Sequence, residues 1–474
     1  MRNVLVLVGV LLIVSCKSNQ QLNQPNKAPN VVFILTDQWR AQDVGYAGNQ
    51  QVITPAIDAL SKEAVVFTNA ISNLPVCTPA RASLMTGKYP LSHGLFYNDK
   101  PLGTDEYCIA EVFKENGYAT AYIGKWHING HPPGMTNFQG RALPTPADRR
   151  QGFDFWKVSE SSHDYNNSVY FDKDNVKHKW EGYDAIAQTK EAVNYIKSNK
   201  ENPFLLFVGY GAPHSPYNTA PKKYQDMYKD MDIKLRPNVP SDKAEKAKED
   251  LKGYYAHITA LDDCIAELQK EIKNLGLEEN TIFVFTSDHG DMIYSHSQVN
   301  KQKPWDESIC VPFLLKYPAK LKAGTQMTKM FSFPDIMPTL LGMSNLPIPE
   351  SVEGLNYTGQ LLGTQELDVD AALITCPVPF HQWKYKNGGR EYRGVKTEKY
   401  TYVKDLNGPW LLYDNLKDPY QLNNVIGKEG YKTIQADLEV KLKAILDKQG
   451  DQFLPGEEYM KKWNYQWDGS DSDK

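Results

Sequence analysis

Four short runs rich in Val, Ile, Leu and Phe, separated by helical patterns, constrain this 474-residue chain more than any other feature. They span residues 31–35, 119–123, 204–208 and 281–285. None alternates strictly between apolar and polar residues, which is the signature of strands covered on both faces. Buried strands alternating with helices form a largely parallel sheet flanked by helices, so the expected class is α/β. Polar, reactive residues follow each run at its C-terminal end. Asp37 follows the first, Lys125 and His127 the second, His214 the third, and Asp288 and His289 the fourth. Ligands of open α/β sheets sit at the carboxyl ends of the strands. The pattern therefore predicts one crevice fed by four segments.

The intervening helices are legible too. Thr104 is expected to cap a helix running to Asn116, with Gly117 as its stop. Residues 243–275 carry apolar residues every three or four positions, from Leu251 and Tyr254 to Ile272 and Leu275. That stripe barely exceeds three heptads, so a long helix packed on the sheet is preferred to a coiled coil. Beyond Pro347 the character changes, with aromatic segments at 392–396, 400–403 and 410–413 that read as antiparallel strands. A last helix is expected over 431–446. The domain reading is a catalytic unit over 30–346 and a smaller C-terminal α+β unit over 347–474.

The first residues are set apart. Arg2, the apolar run 4–14 and the ending Ile13-Val14-Ser15-Cys16 have the parts of a secretory signal, too short to span a bilayer as a mature helix. The ending looks like a bacterial lipobox, which would remove 1–15 and lipidate Cys16. Residues 16–29, rich in Asn, Gln and Lys, would then be a flexible tether. The expected location is membrane-anchored through lipid alone, periplasmic rather than cell-surface, because no acidic cluster follows Cys16. A formal net charge of −4 argues against nucleic acid or any polyanion held by bulk charge. An anionic substrate must be met by a few local cations. Setting aside Cys16 and Cys77, four cysteines remain at 108, 264, 310 and 376; sequence pairs none of them.

The most specific segment is Cys77-Thr78-Pro79-Ala80-Arg81, continuing Ala82-Ser83-Leu84-Met85-Thr86-Gly87. A cysteine at a helix start, with an arginine one turn on, is a candidate nucleophile: both the helix N-terminus and the guanidinium favour an anion there. This C-x-P-x-R run and its Leu-Met-Thr-Gly helix resemble the signature of type I sulfatases, members of the alkaline-phosphatase-like superfamily. The resemblance runs from about residue 30 to about residue 425, with its motifs in family order.

The resemblance implies a polysaccharide sulfatase of Bacteroidetes type, with Cys77 converted to formylglycine by a dedicated maturation enzyme. The metal ligand positions fall on Asp37, Gln38, Asp288 and His289, with residue 77 completing the site and calcium as the expected ion. Gln38 stands where the commoner pattern has Asp, so the site loses a charge, or Gln38 reaches substrate instead. Gly124-Lys125-Trp126-His127 resembles the family segment whose lysine binds sulfate and whose histidine touches the formylglycine. His214 matches the proton donor to the leaving oxygen, and Lys303 matches a second sulfate-binding lysine. His93, His381, Trp383 and Arg390 are candidates for sugar contacts. Substrates left open by these residues are ulvan, carrageenan, fucoidan and animal glycosaminoglycans, with an algal glycan such as ulvan preferred. The alternatives are a phosphodiesterase or phosphonate monoester hydrolase of the same superfamily, and a non-catalytic lipoprotein that binds sulfated glycans.

Overall fold

All four apolar runs form strands, and they lie side by side at the centre of one ten-stranded sheet. The structure is a computed structural model that describes residues 28–467 apart from 132–134 and 136, so Cys16 lies outside the described residues. The central strands are β1 (Asn30–Asp37), β2 (Ala119–Lys125), β3 (Phe204–Pro213) and β4 (Thr281–Ser287). Their spatial order is β4-β1-β3-β2, all parallel. Every residue of β1 is buried. Val31, Phe33 and Leu35 enter one apolar cluster and Val32 and Ile34 the other, which is why the run shows no alternation.

Shorter strands extend the sheet on both sides. Phe155–Ser159 runs parallel to β2, and Val169–Asp172 and Lys177–Lys179 follow antiparallel. On the far side Phe313–Lys316 pairs antiparallel with β4, then come Val65–Phe67 and Thr325–Met327. None of these outer strands was anticipated, because each is too short to carry a period of its own.

Register brings the strand ends together. Thr36 lies opposite Ser287, and after a shift between Leu35 and Asp37, Asp37 lies opposite Pro213. The chain then turns out of β1 through Gln38, whose φ of 69° is left-handed. Four bonds hold that turn. The Gln38 N–H donates to Asp288 Oδ1 at 3.1 Å, the Trp39 N–H to Ser287 Oγ at 2.8 Å, and Tyr254 bridges the rest. Its hydroxyl donates to the Gln38 carbonyl at 2.7 Å and accepts from the Arg40 N–H at 3.0 Å.

Tyr254 belongs to the long helix. Helix α1 spans Cys77–Thr86 and helix α2 Ala244–Asn274. The apolar stripe of α2, including Leu251, Ile258, Leu261, Ile265 and Leu268, packs against the sheet in the same cluster as Val32 and Ile34. A single buried seam accounts for the periodicity, and no second helix is needed to cover it. One helix starts later than expected, at Ile109 instead of after Thr104. Glu111 reaches back to accept the Cys108 N–H at 2.7 Å, and this capping box sets the start one turn further on.

After Tyr357, which still packs beneath the large sheet, the chain builds a separate four-stranded antiparallel sheet. Its strands are Ala371–Cys376, Tyr392–Thr397, Tyr400–Asp405 and Gly408–Asp414. Helix α3 (Lys432–Gln449) lays Leu438, Leu442 and Leu446 on it. Strand Ala371–Cys376 escapes sequence reading but anchors this sheet to the catalytic unit. Asn73 donates to the Leu373 carbonyl and accepts from the Thr375 N–H, both at 2.8 Å. Among the described residues no helix is long and apolar enough to cross a membrane, and the five cysteines there are free thiols.

Replacing Tyr254 by Phe leaves the Gln38 carbonyl and the Arg40 N–H buried without their partner. We expect a loss of about 1–3 kcal/mol, read from the urea midpoint at unchanged slope. An unshifted midpoint would show that the turn does not depend on this hydroxyl.

Candidate active site

Cys77 is the first residue of α1, and all ten residues of that helix are buried. Val76 before it is extended, so the chain enters the helix abruptly and places the thiol at its N-terminus. Around the sulfur the strand ends deliver charge. Asp37 Oδ1 accepts from the thiol at 3.6 Å, His289 Nε2 lies 3.2 Å away, and Lys301 Nζ donates to it at 2.9 Å. Asp37, Cys77, Asp288 and His289 present ligand atoms all within 4.8 Å of one another, the spacing of a metal centre. Gln38 Oε1, also buried, has no hydrogen-bond partner. Gln38 follows Asp37 and its N–H is held by Asp288, and a buried amide oxygen without a partner at such a position suits a hard cation.

The cations are placed as closely. Arg81, fully buried, donates from Nε to Asp288 Oδ2 at 3.0 Å and from Nη1 to the Lys125 carbonyl at 2.7 Å. Its Nη2 lies 3.7 Å from Asp37 Oδ2. Lys125 donates to Asp37 as well. Burial disfavours charge on Asp37, yet Lys125, His214, Lys301 and His289 hold it well below the usual carboxylate range. Asp288 moves the other way, raised by burial and by its neighbour Asp37. Burial and Asp37 push the Cys77 thiol up, but Lys125, Lys301 and His289 outweigh them, and it ends well below the usual thiol value. The remaining thiols are pushed up by burial. Among the described cysteines only Cys77 is tuned as a nucleophile.

Two histidines flank this cluster with one ring nitrogen engaged and one left over. His127 Nε2 lies 3.1 Å from Asp99 Oδ1, and Asp99 is clamped by Arg141 at 2.8 and 2.9 Å. A carboxylate accepts only, so Nε2 carries a hydrogen, and Nδ1 is buried without a partner. His214 Nδ1 lies 2.8 Å from the Ser215 carbonyl, which leaves Nε2 as the second nitrogen of this pocket-lining ring. Its ring stacks on His163, with centroids 4.2 Å apart. Burial and the charge of Lys301 hold His214 well below the usual histidine value.

These groups open into a cleft of about 410 Å³. Cys77, Lys125, His127, His214 and Lys301 line it, with Asn98, Arg141, His163, His381, Gln382 and Lys384 around them. The last three come from the C-terminal unit, immediately after Phe380, whose backbone is paired with the Gln302 amide at 3.0 and 3.1 Å.

Several expected contacts fall elsewhere. Lys301, not Lys303, touches Cys77; Lys303 donates to the Val299 carbonyl at 2.8 Å and lies over the Trp383 ring. In extended chain, residues two apart share a face, but Asn300 and Gln302 have φ of 57° and 76°, which turns the two lysines apart. His93 is buried behind α1, with Nε2 3.0 Å from Ser83 Oγ and Nδ1 accepting from the Leu95 N–H, so it does not line the cleft. Trp383 packs into the aromatic cluster with Tyr392 and Trp410. Arg390 pairs with Asp405 and covers Trp410. Of the four sugar candidates only His381 lines the cleft. His163 escaped sequence reading because it follows strand Phe155–Ser159, which was not recognised as a strand.

The sequence model of the family described as Sulfatase matches residues 29–346. A second, for the C-terminal part of N-sulphoglucosamine sulphohydrolase, matches 295–448. An ulvan-active sulfatase of Formosa agariphila is 45% identical over 471 residues, covering 97% of this chain and 90% of that protein. An endo-4-O-sulfatase of Bacteroides thetaiotaomicron is 31% identical, covering 91% and 95%. The crystal structure of a putative sulfatase of Bacteroides fragilis superposes with a TM-score of 0.82 at 29% identity, covering 93% of this chain and 99% of that one.

The two lysines are separable by thiol chemistry in metal-free protein whose Cys77 is unmodified. Lys301→Ala removes a cation that depresses the Cys77 thiol, so its pKa rises and less thiolate is present at neutral pH. Alkylation of Cys77 is expected to slow roughly tenfold, whereas Lys303→Ala leaves it unchanged. Equal rates in all three proteins would show that Lys301 does not act on the sulfur.

Proposed function

The chain belongs to the sulfatase family and is a sulfuric ester hydrolase, and from that premise we propose that it desulfates an algal polysaccharide of the ulvan type. The observation that carries the chemistry is a low-pKa Cys77 inside a ring of Asp37, Asp288, His289, Lys125 and Lys301. The substrate rests on near-full-length identity with an ulvan-active sulfatase. In this reading Cys77 is the precursor of formylglycine, whose hydrated aldehyde supplies one hydroxyl to attack sulfur and a second through which sulfate is later expelled. Asp37, Gln38, Asp288, His289 and residue 77 would hold calcium, which would supply Lewis-acid stabilisation of negative charge.

The chain's own groups do the rest. Arg81 is held by Asp288 and braces the N-terminus of α1 beside residue 77. Lys125 and Lys301 offset charge on the sulfate oxygens, so Lys301 takes the role first expected of Lys303. A bound sulfate ester brings negative charge beside His214 and favours its protonated form, which gives the proton on Nε2 to the departing sugar oxygen. His127 Nδ1 takes a proton from the hydroxyl on residue 77, with Asp99 and Arg141 holding the ring. His163, His381, Gln382 and Lys384, on the outer wall, face the sugar. A maturation enzyme acts on Cys77 before any of this, and lipid on Cys16 tethers the protein on the periplasmic side of a bacterial membrane.

Weighing the Cys77 peptide from protein made beside a formylglycine-generating enzyme should give the aldehyde mass, lighter than the thiol. That protein should release sulfate from ulvan oligosaccharides. Cys77→Ala should fold normally and lose at least about 10³-fold in rate. Turnover by Cys77→Ala would sink the mechanism, and turnover of aryl sulfate alone would sink the substrate. Cys16→Ala should move the protein from the membrane to the soluble fraction, and continued sedimentation with membranes would refute the lipid anchor.

A further inference from the structure

Gln38 brings a neutral oxygen where the family resemblance implies a carboxylate. Its amide nitrogen, Nε2, donates to Asp291 Oδ2 at 2.6 Å. Asp291 is fully buried, and among the described residues no lysine, arginine or histidine forms an ion pair with it. Its other oxygen accepts the Ile293 N–H at 3.1 Å, and Oδ2 also accepts from the Tyr217 hydroxyl. All three bonds to it come from neutral groups.

This arrangement has two consequences. A carboxylate only accepts, so the Gln38 amide has a single allowed orientation: Nε2 towards Asp291, and Oε1 away from it. Oε1 is the buried oxygen without a partner. A hydrogen bond to an anion also polarises the amide and makes that oxygen more negative. Buried charges without ion pairs are costly unless a cation is near. Asp37 directly precedes Gln38 and Asp288 accepts the Gln38 N–H at 3.1 Å, and both belong with His289 to the group that could hold an ion.

We propose that Asp291 supplies, one residue removed from the metal, the negative charge that Gln38 lacks, and orients Gln38 as a ligand through its amide. Asp291 is a positioning residue: it reaches the ion only through Gln38. Tyr217 is part of the same device, since it sits three residues after His214 and ties the proton-donor loop to the metal ligand. The inference rests on the metal centre proposed above and concerns ion affinity, whereas the sulfatase reading stands or falls on turnover.

The test is calcium affinity of the full chain, read from the calcium-dependent rise in unfolding temperature and by calorimetric titration. Asp291→Asn should weaken calcium binding about 10–100-fold, the usual cost of losing an outer partner of a metal ligand. Without calcium its unfolding temperature should change little, because the charge removed has no ion-pair partner and the buried Lys303 that feels it is itself pushed down to about 7 by burial. Tyr217→Phe, which keeps the charge but drops one neutral bond, should cost about two- to tenfold. The decisive variant is the exchange Gln38→Glu with Asp291→Asn, which reverses the polarity of the same hydrogen bond and moves the charge onto the ligand. It should recover most of the affinity lost in Asp291→Asn. Affinity within twofold of the unsubstituted chain in Asp291→Asn, or no recovery in the exchange variant, overturns the proposal. Should Asp291→Asn fail to fold, undiminished affinity in Tyr217→Phe overturns it instead. Sulfate release is recorded separately in the same samples, so absent turnover with the predicted affinity order counts only against the sulfatase reading.

Discussion

The structure depends on burying several charges together at the carboxyl ends of parallel strands. Asp37 and Asp288 leave adjacent strands β1 and β4, and Arg81, Lys125 and Lys301 close around them. A carboxylate such as Asp37 alone in an apolar interior would be driven to its neutral form. Among these cations Asp37 is held well below the usual carboxylate range, and the Cys77 thiol is drawn into the same balance. A site that meets an anionic ester therefore needs no basic surface, which is consistent with a chain of net charge −4.

Holding such a cluster requires a backbone that ordinary strands and helices cannot supply. Gln38, His127, Asn300 and Gln302 all have left-handed φ, and each lies in or beside a residue of the cleft. Strained conformations of this kind persist only where surroundings over-determine them. Here the surroundings are identifiable: Tyr254 on α2 for the turn after β1, and the Phe380 backbone for the turn that carries Lys301. The long helix thus acts on the chemistry without touching it, and the C-terminal unit braces the turn that carries Lys301. The C-terminal unit also contributes His381, Gln382 and Lys384 to the cleft wall, which makes the sulfatase site a product of both units.

Much of this was legible in the residues. The four central strands and the long helix lie where their apolar patterns put them, because those elements are long and buried on whole faces. Asp37, Asp288 and His289 could be gathered on paper because they stand at the ends of strands whose carboxyl ends share one rim, and Cys77 with Arg81 because they share the first turns of one helix, whereas the resemblance to sulfatases joined the two groups. The outer strands, three residues long in several cases, carry no such period. His163 was lost with one of them. His93 looked like a cleft residue because it follows α1 closely, but the helix turns it to the back.

By itself the sequence determined the class of the fold, the helix that opens with Cys77, and the inventory of acids, bases and cations that a sulfatase uses. The first two follow from local periodicity and the chemistry of residue types, and the inventory from the resemblance of its motifs to those of sulfatases. Only the tertiary structure decided which of Lys301 and Lys303 meets the sulfur, that Trp383 and Arg390 serve packing, and that Asp291 stands behind Gln38. Those outcomes turn on backbone dihedrals and on contacts between segments about 80 to 250 residues apart. Such geometry exists only after the strands have been set in register and the two units have closed on one another.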